Sequence, residues 1–153
     1  MGSLLEIVVN EPFQAELIQD LYSNKEDLLQ AFPKAKHPFC IKEWTGILQR
    51  HPENTSLIFK RNDEVVGHTA LIINAENLYL CFVIVQSNFR RQGLAKLMIS
   101  QSEEFTRLNY SHTDMYLNVS SKNTSAIELY KAMSYQVVSQ LSEKITMKKN
   151  MKN

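Results

Sequence analysis

The chain has 153 residues, the usual length of one folded domain, and 44% of them are hydrophobic while 22% are charged. The formal net charge is +1, which excludes the strongly basic field typical of nucleic-acid partners. Two cysteines cannot form a disulfide framework, and the segment MGSLLEIVVN turns polar too early for a signal peptide. We therefore expect a cytoplasmic protein with neither a nucleic-acid nor a membrane partner.

The predicted elements follow an order that indicates a mixed sheet. Apolar residues recur every second position in the strands and every third or fourth position in the helices. In chain order, the sequence predicts a strand at 4–8, a helix after Asn10, helices at 26–32 and 41–50, strands at 56–61, 65–74 and 78–85, a helix at 91–108, a strand at 114–119, a helix at 123–133, and strands at 135–141 and 144–148. This order is typical of an α/β fold with a mixed sheet rather than a doubly wound parallel one.

Several elements carry more specific expectations. Residues 78–85 (LYLCFVIV) form a nearly continuous apolar run, which predicts a central strand buried on both faces. In the helices, Leu17 and Leu108 lie on the predicted apolar stripes. Residues 1–148 are predicted to form a single domain, and the lysine-rich residues 149–153 a frayed tail.

A basic turn joins the strand at 78–85 to the next helix. Helix N-termini present unpaired backbone amides that hold phosphate, and Gly93 would let the backbone approach a ligand closely. Arg90, Arg91 and Lys96 add positive charge. The turn is a candidate pyrophosphate site, although a basic helix start is also common on solvated surfaces. The sequence has neither the G-x-x-x-x-G-K nor the G-x-G-x-x-G pattern of other phosphate-binding loops.

Two motifs resemble those of the GNAT superfamily of acyl-CoA-dependent N-acyltransferases. The segment VQSNFRRQGLA is similar to the family signature R/Q-x-x-G-x-G/A through Arg90, Gly93 and Ala95. The segment NTSAIELYKAMSY resembles N-x-x-A-x-x-L-Y-x-x-x-G-F, with Ser134 in place of the usual glycine. The residues that match this second pattern are Asn123, Ala126, Leu129, Tyr130 and Tyr135.

The resemblance implies a fold and a co-substrate. The sheet would be mixed and mostly antiparallel, with about seven strands, about four flanking helices and splayed central strands. The pantetheine arm of acetyl-CoA would enter the gap between the splayed strands, and its pyrophosphate would lie on the basic turn; no metal is implied. The implied co-substrate contacts are Phe82, Val83, Ile84, Val85, Arg90, Arg91, Gln92, Gly93, Leu94, Ala95 and Asn123.

The resemblance also suggests catalytic roles. Tyr130 matches the family position that protonates the departing CoA thiolate, while a strand amide would stabilise the oxyanion; alternatively, Tyr130 is a core aromatic with its hydroxyl at the edge. Relatives place a general-base carboxylate where this chain has Tyr79 or Asn118, and neither is acidic. Glu76 is a candidate base but is more simply an exposed hairpin residue. His68 could point into the cleft or be satisfied within the sheet.

The aromatic, proline-containing segment AFPKAKHPFCIKEW would wall the acceptor site in this family, or merely cap the core. The candidate acceptor-binding residues are Phe32, His37, Phe39, Tyr79 and Asn118. His37 and Cys40 make only half of a zinc-binding spacing, so no metal is expected. Cys81 is expected to be an inert buried thiol rather than an acyl carrier.

The sequence thus predicts an N-acetyltransferase that moves the acetyl group of acetyl-CoA to a primary amine by direct attack in a ternary complex. The amine would belong to a small molecule or a peptide. The alternative is a non-catalytic acyl-CoA-binding or regulatory module of the same fold. The sequence leaves open whether the protein is a monomer or a homodimer.

Overall fold

The computed structural model describes residues 4–152, and within them seven strands and four α-helices follow the predicted order. The strands are β1 (Glu6–Val9), β2 (Thr55–Arg61), β3 (Glu64–Asn74), β4 (Asn77–Val85), β5 (Asp114–Ser120), β6 (Gln136–Leu141) and β7 (Lys144–Asn150). The helices are α1 (Lys25–Ala31), α2 (Ile41–Leu48), α3 (Leu94–Asn109) and α4 (Thr124–Ala132). Short 3₁₀ segments lie at Ala15–Leu17, Gln19–Tyr22 and Ser87–Phe89.

The strands form one mixed sheet with the order β1-β2-β3-β4-β5-β7-β6. Every neighbouring pair is antiparallel except β4 and β5, which are parallel. The register of β4 with β5 contains a single pair, Tyr79 opposite Tyr116, so the two strands separate toward their carboxyl ends. The predicted mixed sheet with splayed central strands is confirmed.

Alternation along the strands sends side chains into cores on opposite faces of the sheet. On one face, Leu57 of β2 packs in a cluster with Met98 of α3. On the other face, Ile58 of β2 and Ile84 of β4 pack with the fully buried Trp44 of α2. The central strands are therefore fixed from both sides, which gives the site built on them a rigid support.

The lysine-rich end of the chain is ordered further than predicted. Strand β7 runs to Asn150, and Met151 is only 2% exposed. The Met151 amide donates to the Thr113 carbonyl at 2.8 Å, and Lys149 Nζ lies 2.9 Å from Glu103 Oε1. The predicted frayed tail is therefore wrong through Met151, because Lys149 has an acidic partner and Met151 enters the core. Residues 1–3 and 153 lie outside the described residues.

Two local predictions that rest on the helical spacing of apolar residues are wrong. The helix expected after Asn10 is instead two 3₁₀ segments, since the Asn10 side chain bonds both the amide and the carbonyl of Gln14. Leu17 and Leu108, placed on apolar stripes, are 52% and 75% exposed.

Strand β4 is also less uniformly covered than its apolar sequence suggests. Leu78 and Leu80 are buried, whereas Tyr79 and Cys81 are half-buried. The residues between them and Val85 are half-buried too, except Ile84. The reason is that β4 loses its neighbour on one side, where β5 diverges.

Replacing Gly67 by alanine should lower the free energy of unfolding by about 1–3 kcal/mol, the usual cost of overpacking. An added Cβ would lie 2.6 Å from the backbone carbonyl oxygen of Ile84 and 2.5 Å from Met98 Sδ. Gly46→Ala in α2 is the control, because a Cβ there meets nothing within 4 Å. Chemical denaturation of both variants tests this expectation, and equal stabilities would contradict it.

Candidate active site

A bulge interrupts β4 beside the gap. His68 pairs with Ile84 and Ala70 with Cys81, so Phe82 and Val83 oppose one residue of β3 and have no register partner there. Phe82 has a φ of 55°, in the left-handed region that a phenylalanine rarely adopts. A bulge turns backbone groups away from the ladder. Because β5 has also diverged, the backbone of 82–85 lines an open slot that an extended ligand arm could enter.

The turn after β4 exposes the first amides of α3. Arg91 and Gly93 have φ values of 65° and 75°, and Gly93 provides no side chain to cap the helix. A Cβ on Gly93 would meet nothing within 4 Å, so the space above the turn is open. By contrast, the side chain of Asn24 caps α1 and that of Asn123 caps α4. The N-terminus of α3 is therefore available to an anion.

The arginines of this turn have different partners. Arg90 donates from Nε to the Val85 carbonyl at 2.9 Å, and its two terminal nitrogens lie 3.2 and 3.0 Å from the carboxylate oxygens of Asp27 in α1. Much of its charge is thus already balanced. Arg91 and Lys96 are exposed and form no ion pair within residues 4–152. These two side chains are therefore the ones free to meet a phosphate.

The other residues predicted at the co-substrate site take distinct positions. Gln92 is exposed and Ala95 is half-buried, whereas the Leu94 side chain enters the core and leaves only its backbone for a ligand. Asn123 Oδ1 accepts from the Ala126 amide at 3.2 Å and from Ser125 Oγ at 3.3 Å. Asn123 is therefore a helix cap as well as a candidate ligand contact.

Tyr130 is half-buried on α4, with its ring 5.8 Å from that of Tyr135 in an edge-to-face arrangement. Its hydroxyl makes no hydrogen bond within the described part of the chain. Burial, and to a smaller extent the nearby Cys81 thiol, raises the pKa of Tyr130 to about 12. The phenol therefore keeps its proton at neutral pH and has no fixed partner for it.

The structure decides between the alternatives for three further residues. His68 is satisfied within the sheet: its Nε2 lies 2.7 Å from Ser56 Oγ and its Nδ1 2.9 Å from Tyr22 Oη. Glu76 is exposed in the turn between β3 and β4. Burial raises the pKa of Cys81 to about 12, so it is a protonated thiol and a poor nucleophile at neutral pH.

The predicted acceptor residues lie partly in an aromatic cluster around Trp44. The Phe82 and Phe39 rings lie 4.7 and 5.0 Å from Trp44, and Phe32 lies 5.1 Å from Phe82. His37, by contrast, is exposed on the loop between α1 and α2. The segment identified from sequence therefore both caps the core and presents half-buried rings beside the bulge.

The remaining two candidates lie on the strands that bound the slot. The Tyr79 ring is 5.5 Å from that of Tyr116, where β4 and β5 are still adjacent. Asn118 is exposed on β5, and its Oδ1 accepts from Thr146 Oγ1 at 2.6 Å. Neither position supplies a group that could accept a proton from an amine at neutral pH.

Tyr22 is the main residue of this region that the sequence did not single out for a role, whereas Trp44 belongs to the aromatic segment predicted to wall the acceptor site or cap the core. Tyr22 is fully buried, and its hydroxyl donates to the Phe82 carbonyl at 2.6 Å. No short motif marks such a contact, since the two residues are 60 positions apart. The one sequence feature that could have indicated Tyr22 is an aromatic residue at the end of the helix predicted after Asn10.

The described residues contain neither a metal-binding cluster nor a membrane-spanning helix. Within residues 4–152, no group of three His, Cys, Asp or Glu side chains is arranged to hold a metal ion. None of the helices in that part of the chain has the length and apolar character needed to cross a membrane.

The sequence model of the Acetyltransferase (GNAT) family matches residues 18–135. This span contains both motifs, the slot, the turn and Tyr130, and it covers most of the chain. The protein therefore belongs to the GNAT acetyltransferase family, as the two motifs predicted.

Comparison with individual proteins agrees with this assignment. The chain is 26% identical over 140 residues to probable N-acetyltransferase family 8 member 5 of Mus musculus, covering 92% of this chain and 56% of that protein. The chain therefore spans little more than half the length of this relative. Solved structures with the same fold include spermidine N-acetyltransferase from Vibrio cholerae in complex with CoA and spermine (TM-score 0.80, 17% identity, covering 98% of this chain and 97% of that one). Another is the GNAT domain of S. lividans PAT (TM-score 0.80, 13% identity, covering 95% and 90%).

The buried His68 should make stability depend on pH. Burial lowers the pKa of His68 from 6.5 to about 3, so between these values the unfolded chain binds a proton that the folded chain does not. The contribution of His68 to the free energy of unfolding is fully present above pH 6.5. It is lost as the pH falls toward 3, at up to about 1.4 kcal/mol per pH unit. Urea denaturation between pH 7 and 4 should show this slope in the native protein.

His68→Gln should flatten the slope, while His37→Gln, at an exposed position, should leave it unchanged. The same slope in the native protein and in His68→Gln would mean that other groups cause the acid sensitivity.

Proposed function

We propose that this protein transfers the acetyl group of acetyl-CoA to a primary amine, by direct attack of the amine in a ternary complex. The observation that carries the proposal is the separation of β4 and β5 beyond Tyr79 and Tyr116, next to a glycine turn and a protonated Tyr130. The free cysteines Cys40 and Cys81 support a cytoplasmic setting for this activity.

Three features support acetyl-CoA as the co-substrate. The slot offers backbone groups of 82–85 to the amides of a pantetheine arm, apart from the Phe82 and Val85 carbonyls, which already accept from Tyr22 and Arg90. The uncapped amides at 94–96 and the open space at Gly93 suit a pyrophosphate. Arg91 and Lys96 would add charge, whereas Arg90 would shape the turn through Val85 and Asp27.

Tyr130 would act as the general acid. As the amine nitrogen bonds to the thioester carbon and the carbon–sulfur bond breaks, the Tyr130 hydroxyl would give its proton to the departing sulfur and recover one from solvent. A backbone amide of the β4 bulge would donate to the carbonyl oxygen as negative charge develops there. The extra amine proton would pass to water, because Tyr79 and Asn118 offer no base.

The site favours an acceptor whose amine is attached to an apolar or aromatic body. The rings of Phe32, Phe39 and Phe82 are half-buried beside the bulge and provide apolar contact surface. Two nearby carboxylates already have partners: Asp27 pairs with Arg90, and Glu43 accepts from the Lys36 amide at 3.0 Å. A polycationic acceptor would need free carboxylates here, so a monoamine or a peptide amine fits better.

A non-catalytic acyl-CoA-binding module is the second candidate, favoured specifically by the absence of a carboxylate at positions 79 and 118. The two functions differ in one measurement. An enzyme releases free CoA thiol continuously with some member of an amine panel, whereas a binding module binds acetyl-CoA without turnover.

Tyr130→Phe should lower kcat roughly 10²-fold, the usual contribution of a positioned acid. The ring that packs on Tyr135 is retained, so acetyl-CoA affinity and melting temperature should change little. Thiol release at saturating amine, calorimetric titration with acetyl-CoA and thermal unfolding measure the three quantities. Full activity in this variant would assign the leaving-group proton to solvent or to another residue.

Gly93→Ala should weaken acetyl-CoA binding at least about tenfold, because alanine disfavours the turn's φ of 75° and its side chain would occupy the open space above the turn. Gly46→Ala, in equally open space but on a regular helix, should bind normally. Calorimetric titration of both variants makes the comparison. Equal affinities would remove the turn at residue 93 from the co-substrate site.

A further inference from the structure

A chain of buried hydrogen bonds runs from the start of the fold to the β4 bulge. Asn10 Nδ2 lies 3.4 Å from Ser56 Oγ, and Ser56 Oγ lies 2.7 Å from His68 Nε2. His68 Nδ1 lies 2.9 Å from Tyr22 Oη, which lies 2.6 Å from the Phe82 carbonyl oxygen. All four side chains are at least nine-tenths buried. None of them is needed in the proposed reaction as described so far.

Only one arrangement of hydrogens satisfies every member of this chain. The Phe82 carbonyl can only accept, so Tyr22 must donate to it. His68 must then carry its proton on Nδ1 to donate to Tyr22, which leaves Nε2 to accept from the Ser56 hydroxyl. Asn10 donates to Ser56 in turn. Every bond points toward Phe82, and the imidazole is neutral.

The contact at Phe82 controls the next amide. The Phe82 carbonyl and the Val83 N–H belong to one planar, trans peptide group and point in opposite directions. A hydroxyl that holds the carbonyl on one side therefore sets the direction of the Val83 N–H on the other. This peptide lies in the bulge, where neither residue has a register partner on β3, and Phe82 is in the left-handed region.

Left-handed backbone at a phenylalanine is strained and persists only where the surroundings hold it. The Tyr22 hydroxyl hydrogen-bonds to the strained peptide, and the His68 and Ser56 hydrogen bonds orient that hydroxyl. Holding this geometry before the substrate arrives is what electrostatic stabilisation of an oxyanion requires.

We propose that Tyr22, oriented by His68 and Ser56, is a positioning residue that locks the Phe82–Val83 peptide so that the Val83 amide donates to the thioester carbonyl oxygen. The proposal rests on the proposed acetyl transfer and names the donor and its support. Tyr22 acts through the peptide and does not touch the substrate.

The test compares Tyr22→Phe with Tyr110→Phe. Each variant loses one hydroxyl that donates to a backbone carbonyl, that of Phe82 or that of Glu53, and keeps its ring. Tyr22→Phe should lower kcat roughly tenfold or more while KM for acetyl-CoA stays nearly constant, since removing an oxyanion donor outright costs roughly 10²–10³. Tyr110→Phe, at a less buried position, should lose less stability and keep its kcat.

Backbone NMR supplies a readout that needs no turnover. In Tyr22→Phe, the Val83 amide should shift and exchange faster with solvent, and the native His68 ring should show the Nδ1–H tautomer. If Tyr22→Phe does not fold, Ser56→Ala tests the same series of hydrogen bonds two bonds away from Tyr22, with a smaller effect in the same direction.

An unchanged kcat and an unchanged Val83 amide in a folded Tyr22→Phe variant would overturn the proposal and leave the hydroxyl a purely stabilising role. Native protein that neither binds acetyl-CoA nor releases thiol would instead refute the proposed function, whatever the Val83 amide does. The inference about the donor would fall with it, and the two failures remain distinguishable.

Discussion

Two parallel strands begin side by side at Tyr79 and Tyr116 and then separate, and this separation determines what the rest of the molecule can do. In a continuous sheet the backbone groups of 82–85 would pair with the next strand. Here that side of β4 is open, and the other side contains a bulge. Unpaired backbone in a protein interior needs a partner, which makes the slot a natural place for a ligand with amide groups.

Buried polar contacts hold the elements on either side of this slot. On the α3 and α4 side, Glu103 accepts from Tyr135 Oη at 2.7 Å and from Lys149 Nζ at 2.9 Å. This joins α3 and β7 to Tyr135, which lies between α4 and β6 and against which Tyr130 packs. On the other face, Tyr22 and His68 secure the bulge. A buried ion pair such as Glu103 with Lys149 adds less to net stability than its Coulomb energy suggests, but losing one partner would leave a buried charge.

The sequence predicted those parts of the site that short motifs encode. Gly93 and Tyr130 belong to local patterns, and the strand and helix order followed from periodicity within each segment. The sequence could not reveal contacts between distant residues. The pairing of Arg90 with Asp27 joins positions 63 apart, and that of Tyr22 with His68 joins positions 46 apart. No local sequence pattern encodes either of these contacts.

A local excess of charge or a helical spacing of apolar residues does not by itself determine burial. Lys149 is in the lysine-rich end, yet it meets a buried carboxylate, and Met151 is buried. Conversely, Leu17 fits a helical stripe in sequence but is half exposed, because the Asn10 side chain replaces the helical bonds of Gln14. In both cases the deciding contact comes from a side chain outside the pattern.

The high pKa of Tyr130 has a consequence for the choice among amines. With the acid protonated throughout the physiological range and no carboxylate at positions 79 and 118, the fraction of acceptor already unprotonated in solution would limit the rate. At pH 7.4 roughly one in a thousand lysine-like amines is neutral, against roughly a third of α-amino groups, from their ordinary pKa values of about 10.4 and about 7.8. Such a catalyst would discriminate among amines by their basicity more than by their shape. Weakly basic amines would react fastest.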